Sequence, residues 1–140
     1  MDISQLLLEE GLISNSDLEK AISFQEQNPI PLDRILIQMG LVDEEDLLFL
    51  ISKKQKIPYI NLSDYEIEKA VSGMIPLEIT KKHQVFAFHK TNDYLAVAAA
   101  MLLEGNILDE IQKAAGMNLK IFLATSSEIQ QAIKSLEDAS

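Results

Sequence analysis

The sequence contains no cysteine, which excludes disulfide staples and thiolate chemistry and fits a reducing compartment. It has no long hydrophobic run. The longest uncharged stretch, Tyr94 to Leu103, is about half of what a membrane span needs. The opening MDISQLLLEEG lacks a basic region and is acidic instead, so no signal peptide is expected. Positive charge is also scarce: 12 Lys and Arg stand against 22 Asp and Glu, a formal net charge of −10. Such a surface repels phosphate backbones and excludes general nucleic-acid binding. These absences predict a soluble, cytoplasmic chain with no direct membrane insertion and no nucleic-acid partner.

Catalytic patterns are missing as well. Glycine occurs only five times, and neither a Gly-x4-Gly-Lys-Ser/Thr phosphate loop nor a Gly-x-Gly-x-x-Gly turn can be found. Gly73, Gly105 and Gly116 stand alone and read as turns or caps. His83 and His89 are the only histidines, and neither has a second ligand at metal spacing. One reads as an exposed loop residue and the other as a strand-face residue. Acidic pairs (Glu9-Glu10, Glu44-Glu45-Asp46, Glu137-Asp138) fall on helix faces or the tail, where solvated carboxylates are expected. A catalytic pair would need a cleft that shifts one pKa. No serine sits in a nucleophile elbow. No enzyme, no cofactor and no metal are expected.

What is present is a repeat. Sliding Ile3–Gln25 over Leu32–Lys54 by 29 positions aligns Leu7 with Leu36, Gly11 with Gly40, Leu12 with Leu41, Asp17 with Asp46, Leu18 with Leu47 and Ile22 with Ile51. Each copy reads as a helical hairpin. In the first, a short apolar helix stops at Gly11, a residue suited to the left-handed closing position. Ser14 caps the next helix, with Asp17 completing a capping box. That helix is expected to bury Leu18, Ala21, Ile22 and Gln25 and to end at Asn28-Pro29. In the second copy Pro31 suits a first turn, Leu32, Ile35, Leu36 and Met39 form the buried stripe, and Gly40 closes the helix. Asp43 caps the following helix, which buries Leu47, Leu50 and Ile51 and gathers Lys53, Lys54 and Lys56 at its end.

The texture then changes. Residues 57–63, containing Ile57-Pro58-Tyr59-Ile60-Asn61-Leu62, read as an extended linker with a short strand. Weak helices are expected over 67–71 and from Ile75-Pro76 to Lys82. Runs 84–89 and 94–99 read as a β-hairpin turning at Lys90–Asp93. A helix over 106–115 closed by Gly116, a strand over 119–124 and a last helix capped by Ser126 or Ser127 complete the chain. Met101-Leu102-Leu103 reads as core. The expected fold class is α+β, with tandem helical hairpins (1–56), a linker (57–63), a small α/β sandwich subdomain (64–136) and a frayed tail (137–140).

With these segments in order, the chain resembles the N-terminal domain of type II secretion and type IV pilus assembly ATPases, the GspE/PilB/MshE N-terminal domain family. That family carries two tandem copies of Arg-Leu-Gly-x2-Leu-x3-Gly-x6-Leu-x3-Leu-x2-Gln. The first copy matches here at Leu7, Gly11, Leu18, Ile22 and Gln25. The second matches at Leu36, Gly40, Leu47 and Ile51, with Lys54 in the glutamine position. Lys56–Leu62, Ile75-Pro76 and Ser126–Ile133 also resemble family segments. The resemblance implies a non-catalytic domain docking a protein component of the secretion or pilus machine, such as the cytoplasmic domain of an inner-membrane platform protein. It would then be cytoplasmic and peripheral at the inner membrane through that partner. The alternative it implies is a cyclic di-GMP sensor using the Leu/Gly frame, with Arg34 and Lys54 as substitute cations. The family arginines are replaced by Asp2 and Pro31, and the adjacent glycines by Ser4 and Asp33. Those changes place negative charge beside the phosphates of a dianion. Helix packing and termination alone would also require the matched Leu and Gly residues.

Overall fold

The computed structural model describes residues 3–139. The chain is α+β and divides into two compact units, Met1–Leu47 and Leu48–Ser140. The division falls inside a helix, whereas a linker was expected at 57–63. That linker segment is fastened to a strand of the second unit, as described below.

The first unit begins with α1 (Ile3–Glu9), α2 (Asn15–Gln27) and α3 (Leu32–Gln38), and α4 (Glu44–Gln55) starts within it. Both repeat glycines end helices as the pattern predicts. Gly11 and Gly40 have φ of 74° and 73°. In each copy the next amide reaches back five residues, Leu12 to the Leu7 carbonyl and Leu41 to the Leu36 carbonyl, both at 3.0 Å. This is the Schellman closure, and it satisfies carbonyls that the helix end would otherwise orphan. Ser14 and Asp17 form the expected capping box. Pro31 sits one position ahead of the first turn, as the N-cap of α3. The Asp43 carbonyl accepts from the Leu47 amide, so Asp43 stands at the head of α4. Leu6, Leu7, Ile13, Ala21, Ile35, Leu36, Val42 and Leu47 are buried.

Two expectations for this half fail. Ile22 is 43% exposed, and Met39 is also exposed. Each lies at helical spacing from buried residues, but the stripe covered by a neighbour is narrower than the apolar stripe in the sequence.

The second unit is built on a three-stranded sheet in the order β1 (Val85–Lys90), β2 (Leu95–Ala99), β3 (Leu119–Leu123). β1 and β2 pair antiparallel and β2 and β3 parallel. The parallel pair requires a crossover, which α7 (Gly105–Ala115) supplies. Alternation decides the layers. Phe86, Phe88, Ala96 and Ala98 face Ile129 and Ile133 of α8 (Ser126–Ala139). Val85, Ala87, Leu95, Val97 and Ala99 face Val71 of α5 (Lys69–Ser72), Ile75, and Ile111 of α7. The short α6 (Leu77–His83) leads into β1 through Gln84, whose φ is 52°. The sheet is thus covered on both faces, which explains why YLAVAA is apolar throughout.

The expected strand near Tyr59 is a single parallel bridge to Leu123. Hydrogen bonds from the Ile60 amide to the Leu123 carbonyl (2.9 Å) and from the Leu123 amide to the Pro58 carbonyl (2.8 Å) hold it on the outer edge of β3. The cap of α8 is Thr125, one residue earlier than expected. Its Oγ1 accepts from the Glu128 amide at 3.3 Å and donates to Glu128 Oε1 at 3.0 Å. The helix continues through Ala139, and Glu137 pairs with Lys81 at 2.9 Å, so 137–139 are helical where a frayed tail was expected. His83 is not a loop residue: it ends α6, only 12% exposed, against Glu110. His89 lies on β1 and is exposed, as expected of a strand-face residue. Among the described residues no helix is long and apolar enough to cross a membrane.

Candidate functional site

The residues of the repeated frame fall into three groups. Leu7, Leu36, Leu47 and Ile51 are core side chains, each at most 2% exposed. Their burial accounts for them as helix packing. Gly11 and Gly40 lie on exposed turns, and a methyl group at either would meet open space. They serve a left-handed backbone, with no crowding neighbour to spare. The third group reaches the surface: Leu18 and Gln25 are half-buried, and Ile22 and Lys54 are exposed. The Gln25 amide is used internally, donating to the Ile30 carbonyl at 3.0 Å across the Asn28-Pro29 corner.

Arg34, the only arginine in the sequence, is also engaged. Its Nη1 lies 3.0 Å from Glu44 Oε2, with the two side chains only 19% and 15% exposed. A guanidinium in a partly buried ion pair is costly to divert to another anion. Asp33, in a family glycine position, accepts from the Arg34 backbone amide at 3.0 Å. Ser4, in the other glycine position, is buried. Asp2 lies outside the described residues.

A groove of about 460 Å³ opens at the Gly40 turn, wholly within the first unit. Leu12 from the first repeat and Ile37, Leu41 and Val42 from the second line its apolar part, and Asp43, Glu44 and Asp46 its acidic side. In the sequence the glycine and the acids look like separate caps, which conceals this groove. Leu12 and Leu41, paired by the 29-residue offset, were the available signal. A second cavity, of about 340 Å³, lies in the other unit among Leu62, Tyr65, Ile67, Phe86, Ala132 and Leu136. Its α8 residues read as core at helical spacing, which concealed it.

Charge is distributed unevenly. Residues 1–47 hold two of the 12 cations and 11 of the 22 acids, a formal −9, leaving −1 for residues 48–140.

A family model for the MshEN domain matches residues 55–140. The type IV pilus assembly ATPase PilB of Myxococcus xanthus is 31% identical over 134 residues, covering 94% of this chain and 23% of that protein. PilB of Thermus thermophilus is 26% identical over 129 residues, covering 91% of this chain and 14% of that protein. The chain therefore spans less than a quarter of the length of these relatives. Among solved structures, MshE with cyclic di-GMP has a TM-score of 0.82 at 19% identity, covering 97% of this chain and 99% of that one. The N-terminal domain of XpsE has a TM-score of 0.79 at 23% identity, covering 94% and 91%. Likeness at these identities establishes a shared fold.

Proposed function

We infer the function from one premise: the chain belongs to the MshEN domain family. It shares its fold with MshE and the N-terminal domain of XpsE, and it is homologous to a small part of type IV pilus assembly ATPases. On that premise it is a non-catalytic docking domain that binds a protein component of the pilus or secretion machine. The partner that suits this reading is the cytoplasmic domain of an inner-membrane platform protein, which would hold the domain at the cytoplasmic face of that membrane. The observation that carries the reading is the Arg34–Glu44 pair. The single arginine of the chain is committed within the domain, and its sequence neighbour Asp33 is a further acid.

A second reading, a cyclic di-GMP sensor, is favoured by the fold shared with MshE, whose structure contains that nucleotide. It would use Leu18, Ile22 and Gln25 on the surface, and Arg34 only after Glu44 releases it.

Isothermal titration separates the two. The platform protein's cytoplasmic domain is expected to bind at tens of micromolar or tighter, about −6 kcal/mol or better. Cyclic di-GMP is expected to give no heat up to about millimolar. Micromolar binding of the nucleotide and none of the protein would exchange the two readings.

A further inference from the structure

The groove at the Gly40 turn combines two properties. Its floor is apolar, with Ile37 and Leu41 half-buried, Val42 buried and Leu12 36% exposed at the edge. Its rim is anionic, with Asp43 and Asp46 exposed at the first turn of α4. The unit as a whole shares both properties. The 47-residue unit carries −9, and Ile22, Phe24 and Met39 are also exposed on it.

Charge decides between occupants. A second copy of this chain would bring its own −9 to the contact, so self-association through this face is opposed. Nucleotides, nucleic acids and anionic lipid surfaces are repelled for the same reason. A neutral apolar ligand would fill the floor and leave the rim unused. A cationic partner with apolar anchors satisfies both, in the arrangement common to interfaces: a large side chain in a desolvated pocket, ringed by charged groups.

We propose that this groove seats the machine partner and that its occupant is a basic amphipathic segment. A large apolar side chain enters among Leu12, Ile37 and Leu41, and flanking Lys or Arg side chains meet Asp43 and Asp46. Apolar residues recurring every three or four positions along a helix would supply the anchor and leave the cations on either side. This rests on the docking reading and adds to it the seat and the partner's chemistry.

The test uses the full chain and a synthetic Leu/Lys amphipathic helical peptide, with its Leu/Glu counterpart as the opposite-charge probe. The Leu/Lys peptide binds, and its affinity falls about tenfold as salt is raised from about 0.05 to about 0.3 M. The Leu/Glu peptide does not bind. Asp46→Lys weakens binding about tenfold or more, and Asp46→Asn weakens it less. Asp109→Lys, the same charge change at an exposed position on α7, leaves it nearly unchanged. Leu12→Ser weakens it at both salt concentrations, which attraction to a generally acidic surface would not produce. Circular dichroism melts establish that each variant is folded. Equal losses for Asp46→Lys and Asp109→Lys, no effect of Leu12→Ser, or binding of the Leu/Glu peptide would each overturn the proposal.

The same variants, titrated with the platform protein's cytoplasmic domain, separate this inference from the reading beneath it. Binding that is indifferent to Asp46→Lys and Leu12→Ser removes the groove and leaves docking intact. Groove-dependent binding of the peptide with none of the platform domain removes that partner and leaves the groove's chemistry intact.

Discussion

Gly40 shows what a single position contributes. It has φ of 73° with open space where a side chain would project. The conformation alone demands glycine, because L-residues pay about 1–2 kcal/mol in the left-handed region. Gly40→Ala is therefore expected to lower unfolding free energy by about 1 kcal/mol, and Gly40→Asn by less, since asparagine tolerates this region. Urea denaturation of the three proteins measures this. A larger loss for Asn than for Ala would mean that room, and not backbone angle, is what the glycine supplies. The glycine was legible because its signal is local: an apolar helix stops, and the same stop recurs 29 residues later. Arg34 was not. Its partner Glu44 is ten residues away across the Gly40 turn. No helical or strand spacing brings such a pair together, so Arg34 read as an available cation.

At the level of elements, legibility followed the same division. Caps and closures were readable where one turn contains the whole interaction, as with Ser14–Asp17. Thr125 was displaced by one residue because Thr125, Ser126 and Ser127 are all competent caps. Only the reach from Thr125 to Glu128 selects among them. Ile22 and the groove at Leu12 were unreadable because exposure depends on which helix covers which stripe.

Ion pairs between elements belong to this non-local class. His83 at the end of α6 and Glu110 on α7 approach to 3.1 Å, and Lys82 lies 3.7 Å from the other Glu110 oxygen. The hydrogen bond to His83 is the main reason the Glu110 carboxyl lies below its usual range. Desolvation opposes the shift, and the Lys82 charge adds to it. A carboxyl that ionises at lower pH when folded leaves the unfolded chain binding more protons in between. Its contribution is complete above the unfolded value and is lost as pH falls through the folded one. The advantage of the native protein over Glu110→Gln in melting temperature should thus be present above the ordinary glutamate range. It should shrink toward zero once the pH drops below the ordinary glutamate range. Thermal melts followed by circular dichroism across that range test this, and a difference that widens on acidification would contradict it. The contribution is modest, because solvent reaches the Glu110 side chain.

For the whole molecule the decisive quantity is where the charge lies. A −9 load on residues 1–47 opposes the compactness of that unit, whereas residues 48–140 are close to neutral. Salt should therefore stabilise the first unit and hardly affect the second. The Arg34–Glu44 pair works against this, but it is one partly buried contact and is screened less than exposed charges. With 11 acids to two cations, repulsive pairs dominate. The chain carries its own reporter: it has no tryptophan, and all three tyrosines, Tyr59, Tyr65 and Tyr94, lie in the second unit. Tyrosine fluorescence follows that unit alone, while far-ultraviolet circular dichroism follows the helices of both. Raising salt from about 0.02 to about 0.5 M shortens the screening length from more than about 20 Å to less than about 5 Å. The urea midpoint by circular dichroism should then rise more than the midpoint by tyrosine fluorescence. Charge reversal of exposed acids in the first unit, Glu19→Lys with Glu45→Lys, should reduce the salt response without changing the fluorescence midpoint. A circular dichroism midpoint that falls with salt would mean that attractive pairs hold this unit together. The acidic surface would then be a source of its stability, and not a cost carried for the sake of a basic partner.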